Sequence, residues 1–177
     1  MNLKKAKFLR NKKNIKAKVF NYKQDEVIWV NGKKLVRDLI SHNGITSIVP
    51  VLDKRFIILL KQYRYGSDQI MLEVPAGTID TGEKPLVCAK RELIEETGYQ
   101  GKNWKNLGKY FPTPAYNSCK VHCYSADCLK KGDQNLDPDE VIDIVIYSIK
   151  EIKKILNENK LLDMKTYISL DRFFKNY

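Results

Sequence analysis

Residues Gly77–Tyr99, GTIDTGEKPLVCAKRELIEETGY, change character at Pro85. From there Leu86, Val87, Ala89, Leu93 and Ile94 recur at helical spacing; proline suits the first helical position and Gly98 supplies a left-handed stop. A helix of about three turns is expected. At about 100° per residue, Glu92 and Glu96 stand roughly 40° apart and Glu95 about 60° to the other side of Glu92, with Leu86, Val87, Leu93 and Ile94 on the opposite half. Three carboxylates on one face repel one another. Arg91, four residues before Glu95, can take up one of them, but the helical neighbours of Glu92 and Glu96 include no base. A bound cation would offset the repulsion, and oxygen-only ligands suit a hard ion such as Mg²⁺ or Mn²⁺. Taken alone, an acidic helix face is more often simply solvated.

Working outward, the chain before Gly77 reads as strands. Val27–Val30 and Lys33–Ile40 flank Asn31-Gly32, a dipeptide favoured in type I′ turns because both positions need φ > 0. Ile45–Leu52 and Arg55–Gln62 are β-rich runs around an Asp53-Lys54 turn, and Ile70–Val74 is a shorter one. Downstream, strands are expected at Gly108–Phe111, Val121–Ser125 and Val141–Ile149, the first two joined through Thr113-Pro114-Ala115. Two helices close the chain, one near Lys150–Asn157 and one from Asp163 as N-cap through Phe174, with Met164, Tyr167, Ile168 and Phe174 as candidate buried residues. Strands with a few helices packed on them indicate an α+β or α/β sandwich.

With 43% apolar and 30% charged residues, the 177-residue chain sits near the globular average, which excludes collagen, coiled coil and disorder. No apolar run approaches the roughly 18 residues that would cross a bilayer, so no membrane partner is expected. The net charge of +11 invites a nucleic-acid reading, but it is concentrated. Lys4, Lys5, Lys7, Arg10, Lys12, Lys13, Lys16 and Lys18 fall in the first 18 residues without a single acid, leaving the other 159 with 24 bases against 21 acids. Such a segment can be a targeting presequence, a phosphate-seeking patch or a solvated strand edge guarded by lysines; the last is favoured, and nucleic acid is not an expected partner. No apolar h-region follows it, so the cytoplasm is the expected compartment. Cys88, Cys119, Cys123 and Cys128, even with His122 among them, lack a Cys-x2-Cys pair and read as reduced, buried side chains.

The acidic helix belongs to a longer pattern: Gly77, five residues, Glu83, seven residues, Arg91-Glu92-Leu93, one residue, Glu95-Glu96, one residue, Gly98-Tyr99. At average residue usage a chance match lies well below about one in a million. This is the Nudix box with every position intact, and the chain resembles Nudix hydrolases. The resemblance implies an α/β/α sandwich with a mixed sheet that cleaves a nucleoside diphosphate linked to another group, using a divalent metal. It also implies that Glu92 and Glu96 are metal ligands, with Glu95 as an additional one and the Ala76 carbonyl as a backbone ligand. Arg91 would orient the glutamates and Glu83 would organise the loop.

The resemblance extends past the box. Arg37, His42-Asn43-Gly44, Lys61-Gln62-Tyr63-Arg64-Tyr65, Leu72-Glu73-Val74-Pro75-Ala76-Gly77, Pro114 and the tail Asp163-Met164-Lys165-Thr166 follow the order of the ADP-ribose and ADP-sugar pyrophosphatase subgroup. That subgroup carries an N-terminal β-hairpin extension and works as a homodimer, which implies residues 1–43 as a dimerising extension and 44–177 as the hydrolase domain. Arg37 and Arg64 become candidates for phosphate or ribose, since a guanidinium matches phosphate with two parallel donors; for Arg37 a surface ion pair with Asp38 is the alternative. Glu73 is a candidate contact to ribose or adenine, or a plain sheet residue. Tyr22, Trp29 or Tyr116 could stack on adenine. The same resemblance implies a general base on the loop Asp137-Pro138-Asp139-Glu140, with Glu140 preferred and Asp139 next; a solvated acidic turn is the alternative.

Two departures bear on the substrate. Where the subgroup has Ser-Pro-Gly followed by a glutamate, this chain has Thr113-Pro114-Ala115-Tyr116-Asn117-Ser118-Cys119, and a tyrosine here is reminiscent of dinucleoside-polyphosphate hydrolases. The expected activity is Mg²⁺-dependent hydrolysis of ADP-ribose or a related ADP-sugar, with Mn²⁺ able to substitute. The alternatives are the same chemistry on GDP-mannose, NADH or dinucleoside polyphosphates, and a non-catalytic binding module.

Overall fold

A computed structural model describes residues 4–176, except for the side chain of Lys130. The chain divides into two compact units. The first takes residues up to Gly44 together with Phe111–Lys120; the second takes Ile45–Tyr110 and the chain from Val121 onward.

In the first unit, β1 (Lys7–Lys16), β2 (Asn21–Ile28) and β3 (Lys34–Ser41) form an antiparallel sheet in that order. The hairpin expected around Asn31-Gly32 is β2–β3, and the basic N-terminal stretch adds β1 to it as an edge strand exposed along its whole length. Its charge is partly taken up within the sheet, where Arg10 pairs with Glu26 at 2.9 Å and Lys34 reaches the same carboxylate at 3.3 Å. The hairpin turn differs from the type I′ expectation. Gly32 at φ +84° takes the left-handed conformation and Asn31 does not; Trp29 accepts the Gly32 N–H at 2.9 Å, and the Asn31 side chain accepts the Lys33 N–H instead. Two consecutive left-handed residues occur at Asp53 and Lys54, where φ is +50° and +55°. Phe111–Lys120 joins this unit along β3, the Tyr116 carbonyl accepting the Ile40 N–H at 2.8 Å.

The second unit is a sandwich. Its seven-stranded mixed sheet runs β10 (Ile142–Ser148), β5 (Phe56–Arg64), β4 (Ile45–Leu52), β9 (Val121–Lys131), β8 (Tyr99–Tyr110), with β6 (Gln69–Glu73) paired to β5 and β7 (Ala76–Thr78) paired to β4. Among the described residues of this sheet, only β4 and β9 pair in parallel. β8 is twelve residues long where only its end had been expected; bulges near Gly101, Asn103 and Gly108 break its alternation.

Side chains alternate across the central strands. Ile48 and Ile58 face α1 (Pro85–Thr97) with Ala89 and Leu93; Val49, Val51, Ile57 and Leu59 pack with Ile152 of α2 (Ile149–Asn157) and with Leu170 and Phe173 of α3 (Met164–Lys175). The α/β/α layering matches the expectation, but two helix faces do not. α1 buries Cys88, Ala89, Leu93, Glu96 and Thr97, leaving Leu86, Val87 and Ile94 exposed. α3 buries Thr166, Ser169, Leu170 and Phe173, while Met164 and Tyr167 are exposed. In both helices a polar set turns inward because it has partners there. Thr46 Oγ1 lies 3.4 Å from Cys88 Sγ on α1, and its neighbour Ser47 lies 2.8 Å from the Ser169 hydroxyl on α3.

All four cysteines are buried free thiols. Among the described residues no helix is long and apolar enough to cross a membrane.

Candidate active site

Strand β7 and helix α1 face each other, and the contact is built from missing and buried groups. Gly77 has no side chain where the Glu92 carboxyl lies; a Cβ there would sit inside that carboxyl group. The Ala76 N–H donates to Glu96 Oε2 at 2.8 Å, and Glu96 is 3% exposed. Burial pushes Glu96 up to about 8, against the opposing Ala76 hydrogen bond and with the Glu92 and Glu140 charges adding to the rise. Glu92 is pushed up to about 7, again mainly by burial, although Arg91 pulls the other way.

Arg91 does more than take up one carboxylate. Its Nη1 donates to both Glu92 and Glu95 at 2.8 Å, its Nε and Nη2 donate to Glu83 at 3.2 and 3.1 Å, and Nη2 also reaches the Thr78 carbonyl at 3.2 Å. One guanidinium therefore ties the start of the loop, its middle and the acidic face of α1. Glu83 closes the loop on itself by accepting the Asp80 N–H at 3.1 Å.

Glu140 is drawn to this place by the C-terminal end of α1. A helix end leaves its last carbonyls without partners. Here the Asn135 N–H donates to the Glu95 carbonyl at 2.9 Å, Gln134 Nε2 to the Glu96 carbonyl at 2.6 Å, and the Gly132 N–H to the Gly98 carbonyl at 2.6 Å. Gly98, at φ +72°, must be glycine twice over, because a Cβ would also strike the Gly132 carbonyl. The loop so anchored runs into the Asp137–Glu140 turn, in which Glu140 accepts the Asp137 N–H at 3.2 Å. Its charge is felt by both Glu92 and Glu96. The role of Gln134 was not apparent from the sequence, where nothing marks a long-range cap.

Arg64 and Glu73 meet. Nε and Nη2 of Arg64 donate to the two Glu73 oxygens at 2.9 and 2.7 Å, and Lys165, which sequence reasoning left without a role, donates to Glu73 at 2.6 Å. Burial alone would raise Glu73, but Arg64 and Lys165 together hold it below the ordinary carboxylate value. Arg37 and Tyr116 belong to the first unit. The Arg37 guanidinium lies 3.9 Å from the centre of the Trp29 ring, a cation–π contact. Asp38 is engaged by the Tyr22 hydroxyl at 2.6 Å and by Gln24 at 3.0 Å. Tyr116 is about half exposed.

The donor set suits a hard divalent cation. Its ligand atoms are oxygens, Glu96 is buried and Glu92 nearly so, and Glu83, Glu92 and Glu95 share one arginine. Among the described residues no three acidic, histidine or cysteine side chains converge as tightly as a full coordination shell, since Arg91 draws Glu92 and Glu95 while the Ala76 N–H holds Glu96.

Residues 42–167 match the NUDIX domain. The chain is 29% identical to the methanol dehydrogenase activator of Bacillus methanolicus, over 93% of this chain and 90% of that protein. It is 30% identical to the ADP-ribose pyrophosphatase of Bacillus subtilis (strain 168), over 85% of this chain and 82% of that one. A crystal structure of an ADP compounds hydrolase superimposes with a TM-score of 0.85, covering 99% of this chain and 95% of the other; at 24% identity this likeness speaks for the fold. With the box geometry and the domain match in agreement, the chain belongs to the Nudix hydrolase family.

Proposed function

We propose that this protein is a Mg²⁺-dependent pyrophosphatase that hydrolyses ADP-ribose or a related ADP-sugar to AMP and a sugar phosphate. The observation that carries the reading is the pair of Glu92 and buried Glu96 against the Ala76–Gly77 backbone, with the Glu140 charge acting on both. The ADP-ribose pyrophosphatase of Bacillus subtilis, matched over most of both chains, supports the substrate class.

Held by Glu92, Glu95, Glu96 and the Ala76 carbonyl, Mg²⁺, or Mn²⁺ in its place, would neutralise the pyrophosphate and make a water more acidic. Glu140 is the base that takes the proton of the attacking water, which adds to one phosphorus as the bridging P–O bond breaks. Arg91 fixes the directions of Glu92 and Glu95, and Glu83 fixes the loop through Arg91. Arg64 uses the N–H groups not committed to Glu73 to hold a phosphate. Arg37 and Tyr116 are assigned to the nucleotide or sugar, and Glu73 to keeping Arg64 in place.

We assign residues 1–43 as an N-terminal extension that joins two copies, and residues 44–177 as the hydrolase domain. Exposed Phe8, Ile15 and Val36 on the three-stranded sheet give such a dimer apolar surface to cover. Buried free thiols suit the reducing cytoplasm, which we take as the compartment.

The test is a panel of ADP-ribose, other ADP-sugars, GDP-mannose, NADH and diadenosine polyphosphates with Mg²⁺ and product identification. AMP and ribose 5-phosphate from ADP-ribose at the highest kcat/KM are expected. Preference for any substrate outside the ADP-sugars would overturn the assignment. Light scattering on the full chain, and on one lacking residues 1–16, tests the dimer; a monomer in both would reject it.

A further inference from the structure

The first residues of α3 act together on the end of β6. The Asp163 carboxylate accepts the Thr166 N–H at 2.9 Å, capping the helix, and holds the Lys165 ammonium at 3.0 Å. Lys165 donates in turn to Glu73, and the Thr166 hydroxyl accepts the Val74 N–H at 2.9 Å. Glu73 is 3% exposed and the Lys165 side chain 13%, whereas that of Arg64 is 40% exposed. The contacts thus run from a mostly buried lysine, through a buried carboxylate, to a guanidinium that reaches the surface.

A guanidinium gripped by two parallel bonds has one plane and one outward edge. The Arg64 edge made of Nε and Nη2 is on Glu73, so the remaining N–H groups point away from it. Arg64 also lies close enough to Glu96 for their charges to attract.

We propose that Lys165 is a positioning residue for substrate capture: by fixing Glu73 it holds the outward edge of Arg64 ready for a phosphate. The proposal rests on the assignment of Arg64 as a phosphate contact. With Lys165 removed, Glu73 keeps Arg64 as its partner but loses the bond that fixes its own rotation, and the guanidinium plane is no longer set in advance. Substrate must then order it, which weakens binding more than chemistry.

The test uses full-length Lys165→Met, Lys165→Arg, Arg64→Ala and the double variant Arg64→Ala with Lys165→Met. KM and kcat are measured on ADP-ribose with Mg²⁺, and calorimetry gives the Kd of ADP-ribose for the metal-free protein. Lys165→Met is expected to raise KM and the metal-free Kd about tenfold while kcat stays within about threefold, with Lys165→Arg restoring most of the loss. The double variant should be no worse than Arg64→Ala alone, since both changes act through one guanidinium. If circular dichroism shows that Lys165→Met does not fold, Lys165→Gln replaces it with the same expectation. Wild-type KM and Kd in the Lys165 variants beside a raised KM in Arg64→Ala would overturn this proposal alone, as would additive effects in the double variant. Wild-type KM in Arg64→Ala would overturn the phosphate assignment and this proposal with it.

Discussion

Gly77 and Glu92 occupy complementary space: the carboxyl group of one fills the volume where the other would carry its Cβ. Gly77→Ala therefore moves Glu92 out of register with Glu96 without replacing a charged group. Displacements of this order cost about a hundredfold in rate. We expect kcat/KM to fall by about that factor with the circular dichroism spectrum unchanged, and an alanine variant of near wild-type activity would show that the close approach is immaterial.

Glu96 is buried and pushed up to about 8, so the metal-free fold binds its proton more tightly than the unfolded chain does. Stability without metal should fall as pH rises from about 4.5 towards 8, because the native state must release a proton that the unfolded state has already lost. Glu96→Gln should flatten that slope and raise Tm at pH 8 in EDTA by about 3 °C, while lowering Mg²⁺-dependent turnover about a thousandfold or more. Wild-type turnover in the Glu96→Gln variant would refute the assignment of Glu96 to the metal.

On the proposed assignment divalent ions bind the folded carboxylate set and not the unfolded chain, so they should themselves stabilise the protein. Wild-type Tm is expected to rise by several degrees with Mg²⁺ or Mn²⁺ at pH 8, and the rise should be lost in Glu92→Gln. An equal shift in both proteins would place the ion elsewhere.

Arg91 spans loop and helix with a planar fork that a single ammonium cannot imitate. Arg91→Lys should retain the fold yet lose about a hundredfold in kcat, because Glu83, Glu92 and Glu95 can no longer share one rigid partner. Retention of most of kcat in the lysine variant would mean that charge alone suffices.

Glu73 has the opposite sign to Glu96. Its partners hold it below the ordinary carboxylate value, so its contribution to stability is present above the unfolded value and is lost as pH falls through the folded one. Glu73→Gln should cost about 3 kcal/mol at pH 7 by leaving Lys165 and Arg64 less well matched, and the penalty should shrink in acid denaturation near pH 3. A penalty independent of pH would exclude the ionised pairing.

The box, the limits of α1 and the layering were readable because they rest on local signals: Pro85 at the start, Gly98 at the end, alternation in Ile45–Leu52. The rotation of α1 was not. Leu86, Val87 and Ile94 suggest an apolar inner face by composition, and only the partners Thr46 and Ala76 explain why Cys88 and Glu96 face in. Only the end of β8 was legible, because Gly101, Asn103 at φ +51° and Gly108 at φ +122° interrupt the period of two. The arrival of Glu140 depends on Gln134 and Asn135 capping a helix some forty residues earlier, and the grip of Lys165 on Glu73 spans 92 residues. Such pairings carry no local mark.

Thr46 and Ser47 are neighbours on β4, and each bonds a different helix: Thr46 reaches Cys88 on one layer and Ser47 reaches Ser169 on the other. A single peptide unit thus couples the two outer layers through the middle one, and with side chains on both faces engaged they cannot slide independently. Adjustment to substrate must fall to loops such as 132–140 and not to shear between layers. In hydrogen–deuterium exchange the Thr46 and Ser47 amides should be among the slowest in the chain, and binding of a nucleotide-sugar should slow exchange in 132–140.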